Sequence, residues 1–408
     1  MKKFLILCLA FVSLGIQAQR RLALAECLAL AEESNYGLQA SKLDIEQARW
    51  LKNTAWNLDK TSLSLSQDPT SGGSPDNSLT LSQNLDFSTV YKVRKKTLQA
   101  EVGVAESRLN VARNDLRFKV ATLYENMVYV QEQMRLLTLQ DTVLKAYLHK
   151  ATVRYKAGEA RQLEQLTANR LLQNNLQEKQ ALQSTFWNLQ QQLSALLGAP
   201  GEAVVPAEDS LQVLPLEVPL ALNFEQSAEG QLLRSEAVVT ERRVTEAKTD
   251  YLPSFNLGLR HQLVISGWNP YGIDRSKFDK GNFMGFEVGV SFPLFTKATR
   301  AKVRAAKLQS EMAILALRQA ELNQQTAYSQ ALEQYRQAKQ RLNYYSQVAM
   351  PEVQKMVRIA QVSYENADIG YIEYVNTLQE RISTRLKQAE ATHELNQSLL
   401  QLQRLAGQ

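Results

Sequence analysis

From Ser88 to Tyr155 the sequence runs for 68 residues with no proline and one glycine, Gly103. No turn chemistry interrupts it, so the stretch reads as a single helix. At 1.5 Å per residue such a helix is roughly 100 Å long, more than a compact domain accommodates. Its apolar residues follow 4-3 spacing: Leu116, Val120, Leu123, Met127, Val130, Met134, Leu137, Leu144 and Leu148, with Asp141 at one seam position. That period is the coiled-coil one and calls for neighbouring helices. A second stretch, from about Lys297 to Asn366, has the same character with smaller seam residues: Ala331, Tyr335, Ala338, Leu342, Tyr345 and Ala349. Pro351 is expected to kink it or unwind a turn.

The two stretches belong to an internal repeat. Tyr155 to Glu164 aligns with Tyr364 to Glu373 at an offset of 209 residues, and Ser82 pairs with Ser291 at the same offset. Upstream, Leu58 pairs with Leu252-Pro253 at about 194, which places 15 additional residues in the second half, in a loop at about Ile265 to Asn282. Each half reads as helix, strand, loop, strand, very long helix, tight turn, helix. The returning helices span about Arg161 to Leu197 and Tyr371 to Leu405. The expected division is a signal peptide at 1–18, a first repeat at 19–198, a connector at 199–222 and a second repeat at 223–408. The connector holds Pro200, Pro206, Pro215 and Pro219 and reads as extended chain. The helical turns fall at about 156–160 and 366–370.

Four short segments alternate with period two, at about 61–67, 78–87, 254–264 and 284–294. Leu63, Leu65, Leu79, Leu81, Phe255, Leu257, Leu259, Phe286, Val288, Val290 and Phe292 form the apolar face, and Ser, Thr, Asn, Gly, Arg and Glu occupy the other. One apolar and one polar face over about ten residues is the pattern of a transmembrane β-barrel strand, with the apolar set toward lipid. Four strands do not close a barrel, so several chains must share one. An ordinary half-buried sheet is the alternative, but helices of this length do not cover a small sheet.

The remaining composition excludes most chemistry. Two cysteines, Cys8 and Cys27, cannot form a disulfide framework or a cysteine metal cluster, and His149, His261 and His393 lie far apart. No G-x-x-x-x-G-K-[ST] or G-x-G-x-x-G motif and no nucleophile–base constellation occurs, so neither an enzyme nor a cofactor is expected. Lys2-Lys3, the apolar run Phe4 to Ile16 and Gln17-Ala18-Gln19 have the form of a signal peptide. No cysteine stands at its cleavage boundary, so a lipid anchor is not expected. The formal charge of +6, or +4 without Lys2 and Lys3, is too weak to indicate nucleic acid. Met127 and Met134 read as packing residues, Met350 and Met356 do not make a copper site, and His393 reads as hydrogen-bonded rather than ligating.

The duplicated plan resembles the TolC-like outer-membrane factors over essentially the whole mature chain. Shorter stretches resemble the CusC/CzcC-like branch that serves heavy-metal RND pumps: Ser82 to Tyr91, Gly158-Glu159 with Leu163-Glu164, Gly289 to Phe295, and Gly370 to Tyr374 followed by Asn396-Gln397-Ser398. The resemblance implies a mainly α chain with a small transmembrane β part. It implies a homotrimer whose chains contribute four strands each to a twelve-stranded barrel in outer-membrane lipid, above a long periplasmic helical coiled-coil barrel. It also implies a passive conduit, with a periplasmic adaptor (membrane fusion protein) and a CusA/CzcA-like inner-membrane RND transporter as partners. Alternatives are a multidrug, general efflux or type I secretion duct and, in another class, a periplasmic coiled-coil scaffold.

Within that frame the helical turns are candidates for the entrance and for adaptor docking: Tyr155, Gly158, Glu159, Tyr364, Asp368 and Gly370. Gly158 and Gly370 suit positive φ, and purely structural turns are the competing reading. Glu164 and Glu373 occupy equivalent places beyond the turns and form an acidic ring if they face the lumen, or solvated helix faces if they do not. Trp268, Tyr271, Phe278 and Phe283 beside the enlarged loop suit a membrane interface or loop packing. The loops Gln67 to Asn77 and Ile265 to Asn282 are expected to face outside. A tag inserted near Asp274 should therefore label on intact cells; labelling only after the outer membrane is opened would reverse this topology.

Overall fold

The computed structural model describes residues 20–69, 75–159, 161–208, 210–219, 221–263 and 283–407. The signal segment, and Trp268, Tyr271 and Phe278 of the enlarged loop, lie outside the described residues. In chain order the elements are β1 (Arg20–Leu22), α1 (Leu24–Ser34), α2 (Tyr36–Lys52), β2 (Ser62–Pro69), β3 (Pro75–Asp86), α3 (Ser88–Lys156), α4 (Gln162–Leu196), β4 (Val204–Pro206), α5 (Ala228–Lys248), β5 (Ser254–Leu263), β6 (Phe283–Ser291), α6 (Lys297–Tyr344), α7 (Met350–Glu365) and α8 (Tyr371–Ala406). Short 3-10 turns follow α2 and α5. Between α6 and α7 the helix widens into a π turn, Tyr345–Ala349, and Pro351 sits in the first turn of α7. The wider turn accommodates a ring that carries no N–H and would crowd the preceding turn of a regular helix.

The chain forms two compact units, and neither coincides with a repeat. The first takes residues 20–40, 109–228 and 321–407; the second takes 41–108 and 229–320. In the first, α3 buries Leu116, Val120, Tyr124 and Met127 against Cys27 and Ala31 of α1 and Leu193 near the end of α4. Burial, reinforced by Glu208, pushes the Cys27 thiol up to about 11. The seam runs on through buried Val130, Leu137 and Leu144. Asp141 on that seam is held by Lys145 at 2.7 Å. The connector contributes β4, which pairs in parallel with β1. Side chains secure it: Gln190 Nε2 donates to the Val204 carbonyl at 2.9 Å, and Ser194 Oγ to that of Glu202 at 2.7 Å.

In the second unit the sheet order is β2-β3-β5-β6, every pair antiparallel. Its helical segments are stitched by surface ion pairs: Arg49 to Glu106 at 3.0 Å joins α2 to α3, and Arg243 to Glu101 at 2.9 Å joins α5 to α3. Tyr91 anchors the strand-to-helix junction, stacking on Trp56 at 5.1 Å and accepting the Asp86 N–H at 2.9 Å.

The last carbonyls of α4 lack helical partners and are taken by the α1–α2 junction. Ser34 Oγ donates to Leu197 O at 2.6 Å and Asn35 Nδ2 to Leu196 O at 3.0 Å. Gly198 permits this approach: its φ is +69°, and a Cβ there would lie 2.7 Å from the Ser34 carbonyl oxygen. Gly198→Ala should therefore destabilise the first unit by at least about 1–2 kcal/mol from the left-handed φ alone, seen as a lower midpoint in thermal melts of the helical circular-dichroism signal.

Candidate functional site

Among the described residues, two features face outward largely uncovered. The first is the sheet. Its register aligns Leu63, Leu81, Leu259 and Phe286 in one row and Leu65, Leu79, His261 and Met284 in the next. Leu257 with Val288, and Leu85 with Phe255 and Val290, continue the same face. Leu63, Leu65, Leu81, Leu257, Leu259, Val288 and Val290 are exposed, Phe286 reaches 86% exposure, and Leu79 and Phe255 are half-buried. Phe292 lies one residue past β6 and is also exposed. The opposite face is polar and internally bonded: Ser62 to Ser82 at 2.7 Å, Ser66 to Ser78 at 2.8 Å, and Asn256 Nδ2 to Asn84 Oδ1 at 2.7 Å. An apolar patch of this extent marks contact with a partner or with lipid. Among the described residues β2 and β6 have no second strand neighbour, and no helix is long and apolar enough to cross a membrane.

The second feature is the pair of helical turns. α3 closes with Gly158 at φ +77° and the Glu159 N–H donating to Arg154 O at 2.9 Å. α7 closes differently. Asp368 N–H donates to Ser363 O at 2.8 Å, and Ala367 takes the left-handed conformation at φ +62°. Gly370, expected at positive φ, instead has φ −74° and ψ 157°, as the residue that opens α8. The reversal is complete before it, so an extended residue is needed there. Its N–H donates to Glu373 Oε2 at 3.1 Å, which caps the helix.

Glu164 and Glu373 match in the repeat but differ in use. Glu373 is exposed and capping, whereas the Glu164 side chain is 11% exposed and pairs with Arg154 at 3.4 Å. Tyr155, Glu159 and Asp368 are exposed on the turns, and Tyr364 is half-buried behind them.

Sequence reasoning missed the cluster behind the second turn. Lys150 Nζ lies 4.3 Å from the Tyr371 ring centroid and 5.1 Å from that of Tyr364, whose hydroxyl it reaches at 3.2 Å. Tyr364 stacks on Tyr374 at 5.1 Å, and buried Tyr147 of α3 meets Tyr371 at 5.8 Å. The cation and rings tie α3 to α7 and α8. Burial raises the Tyr371 phenol, with Lys150 opposing. The available signal was Tyr364, Tyr371 and Tyr374 flanking the turn, where the first repeat has Tyr155, Gln162 and Gln165.

No group of three metal-ligating side chains gathers among the described residues. Met127 is buried in the core, and His393 Nδ1 contacts Glu125 at 2.5 Å.

Residues 234–408 match the family model described as outer membrane efflux protein. No curated protein matches the sequence. Among solved structures, the chain is similar to the open state of the Neisseria gonorrhoeae MtrE outer membrane channel, with 18% identity, TM-score 0.77, and 94% of this chain and 88% of that one covered. It is also similar to CusC, with 16% identity, TM-score 0.76 and coverage of 97% and 95%. The Campylobacter jejuni CmeC outer membrane channel gives 16% identity, TM-score 0.76 and coverage of 94% and 85%. The chain therefore has the fold of these channels.

The unequal turns give opposite expectations for paired substitutions. Gly158→Ala places a side chain at φ +77° and should destabilise its hairpin by about 1–2 kcal/mol. Ala367→Gly removes the same strain and should be neutral or stabilising, since the gain offsets the ~0.5–1 kcal/mol of added unfolded-state freedom. Thermal melts of the two variants beside the parent protein check both signs.

Proposed function

We propose that the chain is the outer-membrane channel of a tripartite efflux system, a passive conduit that exports substrate to the cell exterior. The observation that carries this reading is the exposed apolar face running across all four strands of a sheet with open edges. Lipid would cover the face, and neighbouring copies would pair the edges. The polar face would then line a water-filled lumen. Three copies supply the strands of a twelve-stranded barrel in this reading. The family model and the shared fold support it. The two repeats at 19–198 and 223–408, joined by the connector, fit a duplicated channel gene with a signal peptide at 1–18.

Helix surfaces support self-association. α2 and α6 flank α3 and α5, and each carries an exposed apolar seam. On α2 this is Tyr36, Leu43 and Trp50, seven residues apart; on α6 it is Leu308, Met312, Leu315 and Leu322, at 4-3 spacing. Heptad seams exposed on a single chain suit the neighbouring helix of another copy.

The turns at Tyr155, Gly158, Glu159, Tyr364, Asp368 and Gly370 are proposed to dock the periplasmic adaptor, with an inner-membrane RND transporter supplying energy. Glu164 and Glu373 are proposed to line the entrance, with Arg154 offsetting part of the charge. Heavy-metal cations, delivered by a CusA/CzcA-like pump, are the proposed substrates, on the strength of the short CusC/CzcC-like stretches. A general or multidrug efflux duct is the second reading. It is supported by a fold that matches the MtrE, CmeC and CusC structures about equally well.

Detergent-solubilised protein should be a trimer that conducts ions in planar bilayers, and Met312→Arg with Leu315→Arg should yield monomers that do not conduct. A wild-type monomer in mild detergent would overturn the shared barrel. Deletion of the gene should sensitise cells to copper, zinc, cobalt or cadmium more than to dyes and detergents; the reverse pattern assigns the multidrug role.

A further inference from the structure

Within the second unit, α3 and α6 both start at one edge of the sheet. α3 begins two residues after Asp86 and α6 six after Ser291, and the pairing of both strands with Ser254 puts these strand ends in one row. The opening turns of both helices are basic. Residues 88–100 carry Lys92, Arg94, Lys95 and Lys96 and no carboxylate; residues 297–310 carry Lys297, Arg300, Lys302, Arg304 and Lys307 and no carboxylate. Only Lys95 and Arg304 coincide at the repeat offset of 209, so the charge recurs in both halves through different positions. Arg94 is held by Asp86 at 3.6 Å and Lys302 by Asp250 at 2.9 Å. The other seven cations are exposed and form no ion pair among the described residues. Asp59 and Glu246, the remaining acids near this edge, are matched in number by Lys60 and Lys248.

The unpaired cations are also aligned. Lys92, Lys95 and Lys96 share one face of α3, at i, i+3 and i+4, and Lys297, Arg300, Arg304 and Lys307 share one face of α6, at 3-4-3 spacing. Side chains on a helix lean toward its N-terminus, which here is toward the sheet. Lys307 lies roughly 15 Å along the helix from Lys297, and long flexible stems shorten that reach. Between these cations and the apolar rows of the sheet sits an aromatic collar. Phe87 packs on Phe255 with ring centroids 6.3 Å apart, and Phe292, Leu294 and Phe295 are exposed, Phe295 to 93%. Apolar strand face, aromatic collar and cations therefore follow one another in the order in which a bilayer presents hydrocarbon, interface and headgroup phosphate.

We propose that the opening turns of α3 and α6 bind the phosphate groups of anionic phospholipid, so that the protein gathers anionic lipid around the base of its sheet. The inference rests on the channel reading, which puts lipid against the apolar rows. Seven unpaired cations at one sheet edge repel one another, and headgroup phosphates supply the missing counter-charge. The adjoining collar selects an amphiphile over a free anion, because Leu294 and Phe295 gain only when acyl chain or interface covers them.

Native mass spectrometry of the full-length protein released from detergent micelles tests it, because oligomeric state and bound lipid are read together. The protein is incubated with equimolar phosphatidylglycerol and phosphatidylcholine of the same acyl chains. Wild-type trimer should retain phosphatidylglycerol over phosphatidylcholine by about fivefold or more, the factor expected from one well-placed cation at an anionic surface. Lys92→Gln with Lys95→Gln and Lys96→Gln should lower that preference, as should Lys297→Gln with Arg300→Gln and Arg304→Gln, and the two sets combined should bring it near parity. Lys339→Gln with Lys355→Gln and Arg358→Gln, an equal loss of charge in the first unit, should leave it intact. Inorganic phosphate in millimolar excess should not displace the lipid. A trimer that retains both lipids alike would overturn the proposal and leave the channel standing; so would a preference that survives the combined substitutions, or lipid lost to inorganic phosphate. Wild-type protein that is not trimeric would overturn the channel reading instead, and the inference with it. If the combined variant does not assemble, the wild-type comparison and the two separate sets still decide.

Discussion

A strand at the edge of a sheet presents a row of main-chain N–H and C=O groups that need partners, and among the described residues this four-stranded sheet has two such edges. In water the cost is a tendency to stick; in hydrocarbon it is several kcal/mol for each unpaired group. The same sheet turns leucine, phenylalanine and valine outward in continuous rows. Among the described residues nothing pairs these edges or covers these rows. In the proposed channel the exposed seams of α2 and α6 would meet the same need.

The first unit solves a different problem. Helices as long as α3 gain little from propensity beyond what packing adds, so their stability depends on what lies against the seam. Met127, Leu137 and Leu144 are fully enclosed, and the ends of shorter elements are tied to the same core. Ser34 and Asn35 take the last carbonyls of α4, while Gln190, Ser194 and Asn396 take main-chain groups of the connector. Side chains here do the bonding that regular secondary structure does elsewhere, and a buried network of that kind is stable only when every member is satisfied.

The two turns align in the sequence yet differ in geometry. Gly158 keeps the left-handed conformation on its own side, but in the second repeat Ala367 adopts it and Gly370 becomes a helix cap. Glu164 is ion-paired and Glu373 caps, and only the second turn carries the tyrosines that enclose Lys150. Positions that align at the 209-residue offset have different partners. Function assigned by repeat alignment alone would have treated them alike.

Periodicity and turn chemistry are local properties, so they are legible in the chain itself. The absence of proline between Ser88 and Tyr155, the 4-3 spacing of its apolar residues, and the alternation around Leu257 or Val288 state which elements form and which face is apolar. The equal spacing of Ser82 from Tyr155 and of Ser291 from Tyr364 is equally legible. What tertiary structure alone decided is which elements meet. The pairing of β3 with β5, which sets Leu81 beside Leu259, joins the two repeats in one sheet, and the compact units then cut across both. Glu125 meets Asn396, 271 positions away, and Lys150 meets Tyr364 across 214. Such contacts depend on how helices pack, and no spacing within either helix encodes the register of its neighbour.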